Sequence, residues 1–281
     1  MERRSIRAKA VKSAIEALRA LTIVIILAAV LLPVGWVVST SVSPRIAMFK
    51  TPPQLFSVPT SENFAYVFSQ MPVLSWVANS LVISVGTMVL SLVIGVPAGY
   101  AFSRVQFRGK RALLMALLIT RAVPTIVIVM PFRIIMRGMG ILGTQLAVVL
   151  IDTIYNAVFT FWLLSGTFES IPNDIEEAAW IDGCTPVQSF RLIALPLSKP
   201  GLVTSALFAF IFSWNDFLFA MTLTSPKSAT LPIGMLSTYG ILQQGWTYMA
   251  AMGVVAIVPV VAISLALQRY YVSGLTFGGV K

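Results

Sequence analysis

Histidine is missing from the 281 residues of this chain, and cysteine occurs once, at Cys184. The first absence removes zinc sites built on imidazole, and with them Ser-His and Cys-His catalysis. The second leaves no internal disulfide, because a single thiol has no partner. Charge is scarce as well. Asp, Glu, Lys and Arg make up 11% of the chain, against about a quarter in a soluble domain. No GxxxxGK[ST] loop occurs, so a phosphate cradle of that type is absent. The acids are few and scattered, and no nucleophile–base pair or metal set can be assembled from them. That argues against an intramembrane enzyme.

What the chain has in abundance is apolar sequence: 57% of its residues are hydrophobic. The bilayer is therefore its main solvent, and there only helices and closed barrels satisfy their own backbone groups. Apolar runs of bilayer-spanning length predict six helical spans, near 20–42, 76–100, 112–130, 144–164, 202–223 and 248–267. The expected fold class is all-α, a polytopic membrane bundle. Residues 1–19 read as a basic terminus, 43–75 as an extracytoplasmic loop rich in proline, and 268–281 as a tail. The first apolar run is longer than a secretory signal core and lacks a convincing small-residue cleavage site, so it reads as an uncleaved span. Residues 76–267 form the main membrane domain.

The net charge is +10, and its placement decides what it means. Alternating the segments across the six spans puts fourteen Lys and Arg residues on one side and five on the other. The richer side holds both termini and is cytoplasmic by the positive-inside rule. Binding to the bilayer accounts for the charge, and nucleic acid needs no separate hypothesis.

The stretch 173–196, NDIEEAAWIDGCTPVQSFRLIALP, lies between two spans yet is built like structure. Asn173 with Glu176, or Asp174 with Glu177, has the spacing of a capping box. Gly183 sits where a helix stops, and a second start follows at once with Thr185, Pro186 and Gln188. Pro196 is expected to interrupt or kink that second helix. Within the stretch, Glu177-Ala178-Ala179, Gly183, Ile193, Leu195 and Pro196 resemble the EAA signature of ABC importer permeases in identity and spacing. The likeness continues in Trp214-Asn215-Asp216-Phe217, in Leu231-Pro232-Ile233-Gly234, and in the closing Gly278-Gly279-Val280-Lys281. Together these look like the maltose-type branch of carbohydrate ABC importer permeases.

That resemblance implies a type I ABC importer transmembrane domain in a bacterial or archaeal inner membrane. Its helix at Glu177 to Gly183 would be a coupling helix docked in a cytoplasmic ATPase. The partners implied are a second, non-identical permease, two ATPase subunits and an extracytoplasmic substrate-binding protein. The chain itself would hold no cofactor, since ATP and Mg belong to the ATPase. In relatives the outer loop before the last span reaches the binding protein; here that is 224–245, with Tyr239, Gln243 and Gln244. The Gly278 to Lys281 ending matches a tail that enters between the ATPases. An ion-gradient-driven secondary transporter would also explain six spans and buried polar residues, but it would not explain a capped helix with the EAA spacing, and no inverted repeat is visible.

Four polar residues lie at membrane depth: Arg121, Asp152, Asn215 and Asp216. A continuous third helix would carry Arg121 to about mid-bilayer, close in depth to Asp152. A charge there costs at least about 2.5–3.5 kcal/mol unless it is paired or meets water. The expectation is that Asp152 neutralises Arg121, with Asp216 as second candidate. The competing arrangement is that Arg121 bonds only to backbone carbonyls or reaches an interface.

Overall fold

The computed structural model describes residues 2–44, 46, 50, 58–241 and 245–277. Two compact units emerge, 1–71 with 238–255, and 72–237 with 256–281.

In the first unit, α1 (Glu2–Ser41) is a 40-residue helix. Leu21, Ile25 and Leu32 along it are exposed, which suits a helix whose solvent is lipid or another chain. The short α2 (Glu62–Gln70) follows. Buried Asn63 fastens it by donating from Nδ2 to the carbonyls of Ser41 and Ser43, at 2.9 and 2.8 Å. Tyr66 stacks on Tyr248, ring centres 4.3 Å apart.

The second unit is organised by three helices: α3 (Val73–Arg104), α6 (Gln145–Glu169) and α10 (Lys199–Trp214). One side of α3 carries Ser80, Ser84, Thr87, Ser91, Gly95 and Gly99, all buried. Small residues recurring every three or four positions let helices approach in lipid, where packing drives association. The approach to α6 is close at Gly95, where an added Cβ would fall 2.6 Å from Thr160 Cγ2 and 3.2 Å from the Phe161 nitrogen.

Between α3 and α6 lie α4 (Lys110–Thr120) and α5 (Thr125–Gly138). They are bent by 86° at residues 121–124, so the third span is not the continuous helix expected over 112–130. Pro124 explains the break: it lacks an N–H and pushes the residue before it out of the helical region. Downstream, α5 continues through Pro131 to Gly138, although the glycines and proline there predict a loop from 131 onward. The fifth run breaks too: α10 ends at Trp214, and α11 (Leu218–Leu223) starts after a gap. The stretch 224–245 contains α12 (Leu231–Ile241), and α13 (Trp246–Phe277) runs past the expected end at 267. Among the described residues, four helices are long and apolar enough to cross a membrane, or six if each of two bent pairs is one span. One of those pairs joins 186–197 to 199–214, with the bend near Ser198 ahead of Pro200.

Candidate coupling site

The loop between α6 and α10 folds into α7 (Asn173–Ile181), α8 (Pro186–Ser189), a π-helical turn (Phe190–Ala194) and α9 (Leu195–Leu197). Its local signals are partly realised. Gly183 adopts φ +91°, and the turn it makes is a Schellman motif. The Cys184 N–H donates to Ala179 O at 2.9 Å, and the Gly183 N–H to Trp180 O at 3.1 Å. Thr185 and Gln188 form the second capping box, Gln188 accepting from the Thr185 N–H at 2.8 Å. Pro196 does not break its helix. The π-helical turn ahead of it absorbs the lost donor, with the Leu195 N–H reaching back to Phe190 O.

The first capping box is not formed. The N-cap of α7 is Pro172, with no side-chain cap. Glu176, expected to reach back to the helix start, turns into the protein instead. It is 1% exposed, and its carboxylate is the centre of a network. Arg104, the last residue of α3, donates to Glu176 Oε1 from Nε at 2.8 Å and also from Nη2. The Tyr100 hydroxyl donates to Oε2, and Ser189 Oγ lies 3.4 Å from the same oxygen. Arg104 also donates to the carbonyls of Phe168 and Ile171, at 3.0 and 3.3 Å, which lie at the end of α6. One guanidinium therefore joins the ends of two spans to the loop helix. The nearby Lys110–Glu169 pair, at 3.1 Å, is half-exposed on the acid side. Such a pair contributes about 0–1 kcal/mol.

The signature residues are distributed by this anchoring. Glu177 and Ala178 are exposed, Ala179 is buried, Ile193 and Leu195 are half-buried, and Pro196 is exposed. Ile175, Trp180, Ile181, Val187 and Leu192 present apolar side chains outward. Gly183→Ala should cost about 1–2 kcal/mol, the penalty for a Cβ in the left-handed region. Amide exchange at positions 183 and 184 is then expected to speed up roughly tenfold, which hydrogen-exchange mass spectrometry reads directly.

Sequence reasoning points to Glu177 as the site acid, gives Glu176 only a capping role, and passes over Arg104, Tyr100 and Ser189. The helical period holds a clue: Glu176 stands three residues from buried Ala179, on the same face.

The membrane-depth residues also depart from expectation. Arg121 pairs with neither Asp152 nor Asp216. Among the described residues, the ion pairs are Arg104–Glu176 and Lys110–Glu169. Because α4 ends at Thr120, the depth reckoned along a continuous helix does not apply to Arg121. Its Nη1 donates instead to Tyr155 O at 3.1 Å, and the Tyr155 hydroxyl donates back to Arg121 O at 2.8 Å. The guanidinium lies 4.9 Å from the Tyr155 ring centre and 5.3 Å from those of Phe159 and Phe212. Asp152 is buried in the three-helix core and accepts from Ser213 Oγ at 2.6 Å. Asn215 and Asp216 make the helix break: Asn215 Nδ2 donates to Ile211 O at 2.8 Å, closing α10, and Asp216 accepts the Ala220 N–H at 2.9 Å, opening α11. The Tyr239 side chain, Gln243, Gln244 and Gly278 to Lys281 lie outside the described residues.

Up to six candidate spans among the described residues, with a folded helix-turn-helix loop tied to the ends of two of them, mark a membrane-embedded helical subunit. Residues 91–276 match the family described as binding-protein-dependent transport system inner membrane component. The chain is 37% identical over 254 residues to the trehalose transport system permease protein SugB of Mycobacterium tuberculosis, covering 89% of this chain and 92% of that protein. To the maltodextrin transport system permease protein MdxG of Bacillus subtilis it is 35% identical over 224 residues, 79% and 81% of the two chains. Its fold superposes on a chain of a bacterial ABC transporter involved in import of the acidic polysaccharide alginate. There the TM-score is 0.73, the identity 26%, and the match covers 91% of this chain and 95% of that one. A chain of the MetNI methionine ABC transporter shares the fold at TM-score 0.60 and 24% identity, covering 72% and 95%. The chain belongs to the family of binding-protein-dependent transport system inner membrane components. It is a multi-pass permease subunit with the type I ABC importer fold, and not itself an ATPase.

Proposed function

We propose that this permease serves a sugar importer, pairing with a second, non-identical permease above two ATPase subunits and receiving solute from an extracytoplasmic binding protein. The names of its relatives, which include trehalose, maltodextrin and diacetylchitobiose permeases, support the sugar. The positive-inside bias supports cytoplasmic termini and a cytoplasmic α7. ATP and Mg sit on the ATPase, and this chain contributes no cofactor site. Residues 224–245 face the binding protein, and Gly278 to Lys281 reach the ATPases. ATP-driven closure of the ATPase pair moves α7, and the spans tied to it shift the pathway between outward and inward access. Transport is directional because hydrolysis resets those states.

The observation that carries this reading is the division of α7 into two faces. Glu176 and Ala179 are held inside, while Glu177, Ala178, Trp180 and Ile181 are presented outward for a partner. Glu177→Lys is expected to leave membrane insertion intact, weaken retention of the ATPase on purification, and reduce ATP-dependent uptake at least tenfold. Wild-type uptake by that variant, with an unmodified ATPase, would sink the docking role of α7.

A further inference from the structure

Two broken helices converge beside Arg121. The α4–α5 break spans 121–124, and the α10–α11 break spans 215–217. Phe212, whose ring centre lies 5.3 Å from the Arg121 guanidinium, stands three residues before the second break. Non-helical backbone at membrane depth is tolerated where it is buried in protein or lines a water-filled cavity. Here Arg121 is half-buried, while Phe208, Phe212, Trp162 and Asn215 around the breaks are exposed. Both nearby acids are engaged elsewhere, Asp152 by Ser213 and Asp216 by the start of α11.

Among the described residues the cation thus has no counter-charge within salt-bridge distance. Among the described residues it makes one hydrogen bond, to Tyr155 O. Three aromatic rings compensate it in part, at about 0.5–2 kcal/mol for a cation–π contact, but rings offer no acceptor to its remaining N–H groups. Its partner Tyr155 lies near the middle of α6, so facing lipid there the group would cost at least about 2.5–3.5 kcal/mol. That cost argues against a lipid-facing position, and the remaining donors of Arg121 suit an oxygen-rich ligand.

We propose that Arg121, with the rings of Tyr155, Phe159 and Phe212, is a solute contact on the wall of the translocation pathway, donating to the acceptor oxygens of a saccharide. The inference rests on the importer reading. Aromatic faces pack the apolar side of a sugar ring, and the guanidinium fork takes two hydroxyl oxygens or one carboxylate.

The test uses the complete transporter in proteoliposomes, with its binding protein and internal ATP. The probes are trehalose, a maltodextrin, diacetylchitobiose and an alginate oligosaccharide. Arg121→Gln is expected to lower uptake per ATP hydrolysed at least tenfold, with binding-protein-stimulated ATPase within about twofold of wild type; Arg121→Lys should retain much of the uptake. A loss shared by the neutral sugars assigns hydroxyl oxygens as the acceptors, and a loss confined to the alginate oligosaccharide assigns the carboxylate. If Arg121→Gln fails to assemble, Phe212→Leu decides, because its ring is exposed and its removal leaves the Tyr155 bond in place. It should lower uptake per ATP several-fold. Unchanged uptake in Arg121→Gln, or in Phe212→Leu where the first variant does not assemble, overturns the inference. So does a parallel fall of uptake and ATPase activity, which would mark a structural role. A wild-type complex that takes up none of the sugars in an ATP-dependent way overturns the sugar-importer reading itself, and the inference with it.

Discussion

Arg104→Ala is expected to abolish uptake while the three-helix core still inserts. The side chain stands at the C-terminal end of α3 and is 17% exposed; the side chain of its partner Glu176 is 2% exposed. Removing the guanidinium strands a buried carboxylate and leaves the Phe168 and Ile171 carbonyls without their donor. Breaking a buried pair from one side costs about 3–5 kcal/mol. That is a large part of the roughly 5–15 kcal/mol that holds a typical domain together. The loss would fall on the contact between α7 and the spans rather than on the membrane core. Helix α7, in the proposed coupling role, would then move without dragging α3 and α6. Glu176→Gln should be milder, since the amide oxygen still accepts from Arg104 while its NH2 can donate to the Tyr100 hydroxyl oxygen. The double variant Arg104→Leu with Glu176→Leu should recover protein yield, because two apolar groups replace two charges, but it should not recover uptake. The measurements are membrane yield, ATPase retention and ATP-dependent uptake, side by side. Wild-type uptake by Arg104→Ala would show that the network is incidental to coupling.

Gly95→Val should all but eliminate folded protein. A Cβ at this position would lie 2.6 Å from Thr160 Cγ2 and 3.0 Å from Thr160 Cβ, with the Phe161 nitrogen 3.2 Å away. A rotamer change at Thr160 relieves the first contact but not the one to backbone, so α3 and α6 must separate. Overpacking in a dense interior costs about 1–3 kcal/mol, and here the strain falls on the pair of helices that organises the unit. Gly95→Ala should lower the thermal midpoint of the purified complex by a smaller step. Adding Thr160→Ala to it should restore part of that loss, because the second change deletes the Cγ2 that the new methyl group would meet. A Gly95→Val protein with wild-type yield and melting would mean that the crossing is looser than the structure shows.

Much of the coupling site is legible in the order of its residues. The Schellman turn at Gly183 and the capping box of Thr185 with Gln188 are each made by residues close together in the chain, so their chemistry is written locally. The break at Asn215 and Asp216 shows as a polar insertion in an apolar run, although its meaning as one helix end and one helix start does not. The first capping box fails because a stronger partner arrives from elsewhere. Glu176 has a local choice, the start of its own helix, and a distant one, the Arg104 guanidinium 72 residues away in sequence. A buried, charge-assisted bond with several donors outweighs a solvated cap.

Residue order by itself is enough to mark this chain as a helical membrane permease with a folded loop between two of its spans. Spans in lipid satisfy their hydrogen bonds internally, so apolar length and local caps suffice to specify them. Which charges meet is settled only by the tertiary fold. The pairing of Arg104 with Glu176, the turn of Asp152 toward Ser213, and the position of Arg121 among three rings all depend on how α3, α6 and α10 cross and where Pro124 bends the chain. These are contacts between segments far apart in sequence. Their energies come from burial and geometry that no local pattern encodes.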